Sequence, residues 1–456
     1  MARRWSTRKR ALSGGSPLAT RPKVAAGAVA AAVAAALSIW PVLALPAAGF
    51  ADRGAATEVA QGREPETHVG GMPDAERLVR DNTTFAAALY QRLAGGEGNL
   101  FFSPFSISAA LAMAYAGARG ETETQMARTL SFSLDREKIH PAFARLRSRL
   151  AEVARPDSVT LEVANSLWPR AGYPLLGSYT DLMKQHYGAE IVPLDYERNP
   201  DGGAETINEW VADNTRGKIQ NLIPLGQLDA LTALVLVNAA YFKGAWAARF
   251  DSAATRDTPF HVSPRETVRA PMMTRTWSVP YADLDSLQAI EIPYAGRSLS
   301  MIVLLPREPY GLDRLEADLS LANLTRWRHA LASEKVKVFL PRFKMTSTFR
   351  LDDNLKAMGM VDAFRPERAN FTGISALRGW LWIDAVIHKA FVEVNEAGTE
   401  AAAATAVTMK MVSIETERPG EPPVFRADHP FIYLIQENRT QAILFMGRTS
   451  DPTKQQ

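Results

Sequence analysis

The chain has 456 residues, of which 46% are hydrophobic and 22% charged, so it is long enough to form one large domain or two ordinary ones. It contains no cysteine, which excludes disulfides, a thiolate nucleophile and a thiolate metal site. The whole chain has a net charge of +3, but residues 1–23 contain seven Lys or Arg and no acid, so the rest of the chain has a net charge of −4. The composition therefore gives nucleic-acid binding no support.

The N-terminal segment has the composition of a targeting sequence. Its basic stretch is followed by an uncharged run from Val24 to Phe50, which ends among small residues. This order predicts a signal peptide over residues 1–51, and hence a secreted, extracellular or periplasmic protein. The alternative is an uncleaved membrane anchor, because the run is long enough to span a bilayer, although Pro41 and Pro46 disfavour a continuous helix. Residues 52–73 are polar and Gly-rich and predict a flexible linker before a globular domain over 74–456.

Helical and strand-like patterns are mixed along the globular part. Apolar spacing and flanking Pro or Gly predict helices at about 78–93, 104–115, 121–130, 205–214 and 352–358. Runs of β-branched and apolar residues predict strands at 158–169, 233–246, 298–306, 335–345, 382–396, 430–436 and 442–448, the last two as a hairpin. Because strict β–α–β alternation is absent, the pattern predicts an α+β fold.

The segment 398–420 does not fit this pattern. Its AAAATA run is typical of a helix, but β-branched Thr and Val surround it and no large apolar face is present. A loop of roughly twenty residues inside a compact domain is usually functional. With period two, one face is uncharged and mostly small (Thr399, Ala401, Ala403, Thr405, Val407, Met409), and the other is Glu400, Ala402, Ala404, Ala406, Thr408 and Lys410. Such a segment could enter a sheet as a strand.

Six ordered blocks resemble the serpin family over about residues 74–456. The blocks are NLFFSPFSISAALAMAYAGARGET, TINEWVADNTRGKIQNLI, LVNAAYFKGAW, VIHKAFVEVNE continuing into AGTEAAAATA, VFRADHPFIYLI and ILFMGRTSDP. The resemblance implies a serpin fold with a large central sheet, two further sheets, eight or nine surrounding helices and an exposed loop at 398–420. It also implies an inhibitory, bacterial-type member that is no enzyme and needs no cofactor or metal.

The implied mechanism is suicide-substrate trapping of a serine protease. The protease cleaves the loop, forms an acyl-enzyme, and is trapped in a covalent complex when the loop inserts into the central sheet as a new strand. The resemblance implies no small-molecule substrate and no nucleic acid. It implies a monomer that meets a membrane only if the leader stays uncleaved.

Matching the family's spacing from Glu396 places the cleaved bond at Val412–Ser413. A shift to Met411–Val412 or Lys410–Met411 remains open, because the stretch from Ile414 to Pro423 is longer than in some members. An apolar residue at the cleaved bond predicts elastase-like or subtilisin-like targets.

The resemblance assigns three further groups of residues. The hinge that inserts first comprises Glu396, Gly398, Thr399, Glu400, Ala401, Ala402, Ala403, Ala404 and Thr405. A polar cluster that gates sheet opening comprises Ser103, Ser106, Asn238 and His388. Insertion begins at Trp246, Arg342 and Glu396.

An enzyme and a non-inhibitory serpin are the two alternatives to an inhibitor. An enzyme is disfavoured, because no two of the seven His lie close enough in sequence for an HExxH pair and the Gly373–Leu377 segment lacks the closing Gly of a nucleophile elbow. A non-inhibitory serpin acting as a binding or carrier protein is the stronger alternative. The small, uncharged Thr399 favours the inhibitor.

Overall fold

Two β-sheets and nine α-helices form the part of the chain that the computed structural model describes, which is residues 73–154, 159–377, 381–399 and 421–454. The helices are α1 Pro73–Leu93, α2 Pro104–Gly117, α3 Gly120–Thr129, α4 Arg136–Val153, α5 Gly177–Leu182, α6 Pro200–Asn214, α7 Leu312–Ala317, α8 Leu321–Ala330 and α9 Asp352–Ala357. A π-helical turn, Met183–Tyr187, continues α5. Within these ranges, none of the helices combines the length and the apolar character that crossing a membrane requires.

The fifteen described strands divide between the two sheets. They are β1 Leu100–Phe102, β2 Val159–Pro169, β3 Glu190–Ile191, β4 Leu234–Ala245, β5 Arg256–Ser263, β6 Glu266–Asp283, β7 Leu287–Pro293, β8 Leu299–Pro306, β9 Ala332–Pro341, β10 Phe343–Arg350, β11 Ala385–Asn395, β12 Gly398–Thr399, β13 Val424–Arg426, β14 Phe431–Glu437 and β15 Ile443–Thr449. The six-stranded sheet has the order β10-β11-β12-β4-β2-β3. The nine-stranded sheet has the order β1-β15-β14-β8-β7-β6-β9-β13, with β5 paired to β6.

The long strand β6 joins the two smaller sheets that the resemblance implies. It pairs with β9 over Met272–Tyr281 and with β7 over Tyr281–Asp283. A single hydrogen-bonded sheet of nine strands therefore accompanies the six-stranded sheet.

Helix α2 is the central helix of the core. All fourteen of its residues are buried, because the segment is apolar and Ala-rich on every side. It begins at Pro104, whose fixed φ suits the first helical position, and Ser103 caps it by accepting a hydrogen bond from the Ser106 amide. The helix packs against β4, β2 and β15 and so contacts both sheets.

The predicted α+β fold is confirmed, and so is the C-terminal hairpin of β14 and β15. The single strand predicted at 335–345 is wrong. Residues 332–341 form β9 of the nine-stranded sheet, and residues 343–350 form β10 of the six-stranded sheet. The buried positions shift from even numbers in β9 (Val336, Val338, Leu340) to odd numbers in β10 (Phe343, Met345), and the chain passes from one sheet to the other at Arg342.

Candidate strand-insertion site

Strands β11 and β4 separate at one end of the six-stranded sheet. Over Ala385–Phe391 and Val235–Tyr241 they pair directly and in parallel. Beyond that stretch the two-residue strand β12 lies between them and is antiparallel to both, with Thr399 opposite Val394 on one side and Gly244 on the other. The sheet is therefore closed along most of the junction and already open at its end.

Gly398 and Thr399 are strand residues. The prediction that the exposed loop begins at 398 is wrong by these two positions: both are buried, and Thr399 is 0% exposed. Its hydroxyl hydrogen-bonds the Tyr294 hydroxyl at 2.7 Å. Gly398 has to be glycine, because a Cβ there would lie 2.1 Å from the Gly244 carbonyl oxygen. The narrow gap between β11 and β4 thus admits a backbone at this point only without a side chain.

An aromatic pair supports the hinge from beneath. The rings of Trp246 and Tyr294 stack with centroids 4.7 Å apart and planes inclined by 11°. The Trp246 indole N–H donates to the Asn395 carbonyl at 2.9 Å, and its backbone N–H donates to the Ala397 carbonyl at 3.0 Å. These contacts fix the turn between β11 and β12, so the place where insertion is predicted to begin is preorganised.

Glu396, in the same turn, is bound by two side chains. The Arg342 guanidinium donates to its Oε1 atom at 2.7 Å from Nε, and the Thr255 hydroxyl donates to the same oxygen at 2.5 Å. Burial raises the pKa of the Glu396 carboxyl, but the hydrogen bonds from Arg342 and Thr255 outweigh it and hold the pKa below its ordinary value. Glu396 therefore stays ionised and links the start of the hinge to the residues directly before β5 and β10.

The predicted gate residues form one buried hydrogen-bonded cluster where β4 and β11 pair directly. Asn238 and His388 lie opposite each other in register, and His388 Nδ1 is 2.5 Å from Asn238 Oδ1. The Asn238 amide nitrogen donates to the Ser106 hydroxyl and to Asn165 Oδ1. The Ser103 amide donates to His388 Nε2 at 3.0 Å, and its hydroxyl donates to the Leu444 carbonyl at 2.6 Å. This gate cluster ties the N-terminus of α2 to the two strands that would have to separate.

The hydrogen bonds fix the protonation state of His388. Because Nε2 accepts from the Ser103 amide, the ring proton lies on Nδ1 and points at Asn238. Burial lowers the pKa of His388 to about 3, so the imidazole is neutral near pH 7. Every polar atom of the Asn238 amide and of the imidazole thereby has a partner while the strands are together.

Asn165, Thr255 and Tyr294 also contribute to the site, although sequence reasoning did not single them out. The only local signal is a polar residue in an apolar strand, as with Asn165 in β2, and its partner becomes visible only from the register of β2 against β4. The remaining predicted hinge residues and the predicted cleaved bond, residues 400–405 and 410–413, lie outside the described ranges. Within the described ranges, no group of three or more His, Asp or Glu side chains could hold a metal ion.

The fold and this junction define a class of protein: an α+β protein in which a short hinge strand lies between two strands that pair directly over the rest of their length. Residues 80–452 match the family model described as Serpin (serine protease inhibitor). A serpin-like protein of Thermococcus kodakarensis is 42% identical over 377 residues, covering 82% of this chain and 86% of that protein. Leukocyte elastase inhibitor A of Mus musculus is 40% identical over 389 residues, covering 83% and 100%.

Among solved structures, human thyroxine-binding globulin superposes with a TM-score of 0.75 at 30% identity, covering 84% of this chain and 100% of that one. The chain belongs to the serpin family. Its activity is therefore of the protease-inhibitor kind, its partners are proteases, and it is not an enzyme.

Proposed function

We propose that this protein inhibits serine proteases by covalent trapping, with the segment after Thr399 entering the gap between β11 and β4. The observation that carries the proposal is β12, which is antiparallel to both neighbours and occupies the first two positions of such a strand. The alternative, a binding or carrier role, has a counterpart in the name of thyroxine-binding globulin. The wedged hinge favours trapping.

The register of β12 predicts where each further residue would go. Thr399 is opposite Val394 and Gly244, so in a continued antiparallel strand Ala403 would lie between Ala390 and Ala240. Thr405 would then lie between His388 and Asn238. Odd-numbered residues would face α2, where the space is filled by core side chains, which explains why that face of the segment is small and uncharged.

The gate cluster would be opened in the process. A strand between β4 and β11 separates His388 from Asn238, which now bond at 2.5 Å. Buried polar groups without partners each cost about 1–3 kcal/mol. The Thr405 hydroxyl, which can donate and accept, would arrive between them and restore partners. The sequence thus carries a hydroxyl at the one position of the segment where two buried groups lose a bond.

The proposed trapping requires one acyl transfer at the cleaved bond. The protease serine oxygen bonds to the Val412 carbonyl carbon, the bond to the Ser413 nitrogen breaks, and that nitrogen leaves with a proton as an amine. The new N-terminus at Ser413 separates from the acylated end, which frees residues 400–412 to enter the sheet with the protease attached by an ester. Insertion faster than ester hydrolysis yields the trapped complex.

The identity of the cleaved bond, the target and the location of the protein are parts of the same proposal. Val412 suits proteases with shallow apolar pockets, such as elastase-like and subtilisin-like enzymes, and Met411 and Lys410 are the alternatives. The resemblance of residues 1–51 to a signal peptide supports a secreted protein that meets its proteases outside the cell. The proposal also takes the protein to be a monomeric, bacterial-type inhibitor.

The experiment compares thermal unfolding before and after cleavage, together with a protease panel analysed on denaturing gels. We expect SDS-resistant adducts with at least one serine protease, and a rise in unfolding temperature after proteolysis between residues 409 and 413. Unchanged melting after cleavage and no adduct with any protease would instead favour the carrier role.

A further inference from the structure

The outward face of β9 and β13 carries cations around an aromatic ring. Lys335, Lys337 and Phe339 of β9 point outward, alternating with the buried Val336 and Val338. Arg426 of β13 lies directly beside Phe339 in the parallel register. These four outward residues (Lys335, Lys337, Phe339 and Arg426) are called the cationic face below.

Phe339 is held between two of these cations. The Arg426 guanidinium carbon lies 3.6 Å from the ring centroid, and Lys337 Nζ lies 5.5 Å from it. Neither Lys337 nor Arg426 forms an ion pair with a residue in the described ranges. Because an aromatic ring orients a cation without neutralising it, both side chains keep their charge and their N–H donors. They can therefore bind carboxylates.

The neighbouring strand adds no opposite charge. Lys335, Lys337 and Phe339 face Ser278, Thr276 and Thr274 of β6 in register, and all three side chains are hydroxyls. A carboxylate opposite Lys337 would have formed a favourable cross-strand pair, whereas Thr276 occupies that position. A half-exposed aromatic ring flanked by Arg is instead typical of the centre of a protein–protein interface.

The position of the face relates it to the proposed bait. Val424, the first residue of β13, follows Ser413 by only eleven residues, which span at most about 40 Å when extended. A protease of about 250 residues has a radius of gyration of about 18 Å, so its body is roughly as wide as that tether is long. An enzyme attacking the predicted bond could therefore reach the cationic face without releasing the bait.

We infer that the cationic face is a second docking surface, which binds an acidic patch beside the active-site cleft of the target protease. The inference rests on the proposed trapping function and adds a selection rule to it. The residue at the cleaved bond selects by the primary pocket, and the cationic face selects by surface charge. Its main effect is on the rate of association, because long-range attraction between charged surfaces raises the encounter rate more than the final affinity.

The test measures association rates between the full-length protein and each serine protease that the wild type traps, at several salt concentrations. The variant K337E/R426E reverses two charges on the face. The control K184E/R439E makes the same change at exposed positions on the π-helical turn and in the β14–β15 turn. For trapped proteases with acidic surfaces, we expect K337E/R426E to associate about tenfold more slowly than the control at low salt, with the gap closing as salt rises. Adduct yield per inhibitor should not change.

Three outcomes would overturn the inference. One is equal rates for the two variants at all salt concentrations with every trapped protease. Another is loss of retention on heparin-agarose by K337E/R426E alone, with unchanged protease rates, which would assign the face to a polyanion. The third is that the wild type forms no adduct with any protease, which would reject the proposed function together with this surface. Equal melting temperatures of the two variants establish that both are folded.

Discussion

Thr405→Val tests whether the register of β12 continues to the gate cluster. Valine matches threonine in shape but has no hydroxyl, so the substitution removes a hydrogen-bonding group and leaves the volume nearly unchanged. In the inserted strand, residue 405 would lie between His388 and Asn238, which have by then lost their mutual bond. The variant should therefore leave up to two buried groups without partners.

The magnitude follows from those two groups. One unsatisfied buried group costs about 1–3 kcal/mol, so with two such groups the inserted form of the variant should be destabilised by about 2–6 kcal/mol. Guanidinium unfolding of the loop-cleaved variant and loop-cleaved wild type measures this difference. The uncleaved forms should differ by much less. Thr405→Ser serves as a matched control, because it keeps a hydroxyl at the same position and should leave the cleaved form close to the stability of the cleaved wild type.

Two results would refute this reasoning. If cleaved Thr405→Val is as stable as cleaved wild type, the segment does not insert in the β12 register. If cleaved and uncleaved forms lose the same stability, residue 405 acts in the uncleaved protein and not at the opened gate.

Four further predictions concern described or neighbouring residues. Thr399→Arg places a cation at a position that is 0% exposed, and burying that charge should cost several kcal/mol and keep the hinge out of the sheet. Denaturing gels should then show cleaved inhibitor in place of covalent adducts, and an undiminished adduct yield would contradict the hinge assignment. Glu396→Gln should lower the free energy of unfolding by only about 1 kcal/mol, because the Arg342 side chain is 43% exposed and solvent screens the ion pair, and it should alter Trp246 fluorescence. Glu393→Gln, which breaks the exposed ion pair with Lys344, should change neither quantity. The pKa of His388 is about 3 in the folded state and ordinarily about 6.5, so the unfolded chain takes up the proton first. Stability should be full above about pH 6.5 and fall by about 3 kcal/mol at pH 4.5, and His388→Gln should flatten this slope in urea unfolding. Val412→Arg should shift inhibition towards trypsin-like proteases, and mass spectrometry of the wild-type fragment should show a new N-terminus at Ser413; Val412 or Met411 would move the cleaved bond instead.

Local sequence pattern predicted much of the fold because most strands are strongly apolar on at least one face. It failed between residues 335 and 345, where one alternating strand was predicted, but the buried positions change phase and the pairing partners change at Arg342 from β6 to β11. Period two reports that one face is buried and does not report which sheet buries it. The resemblance to a family gave the gate residues, and the structure shows their hydrogen bonds.

The parts of the site that could not be predicted depend on packing between distant segments. Tyr294 lies in a β-bridge with Trp246, and its hydroxyl reaches Thr399 more than a hundred positions along the chain. Periodicity of the hinge predicted that Thr399 could be buried. Only the pairing of β12 showed that it already is.

The pairing of β11 with β4 provides a physical reason for the sheet to accept a strand. This junction is parallel, and parallel ladders are slightly less stable per residue than antiparallel ones. A strand continuing β12 would replace one parallel interface of seven residue pairs with two antiparallel interfaces, one on each side. The gain in pairing favours the inserted form, whereas the gate cluster opposes it, because His388, Asn238 and Ser106 must give up their bonds before Thr405 can arrive. In the proposed mechanism, a barrier made of buried hydrogen bonds several residues beyond the open end would let insertion start at the hinge and would oppose its progress past His388 and Asn238.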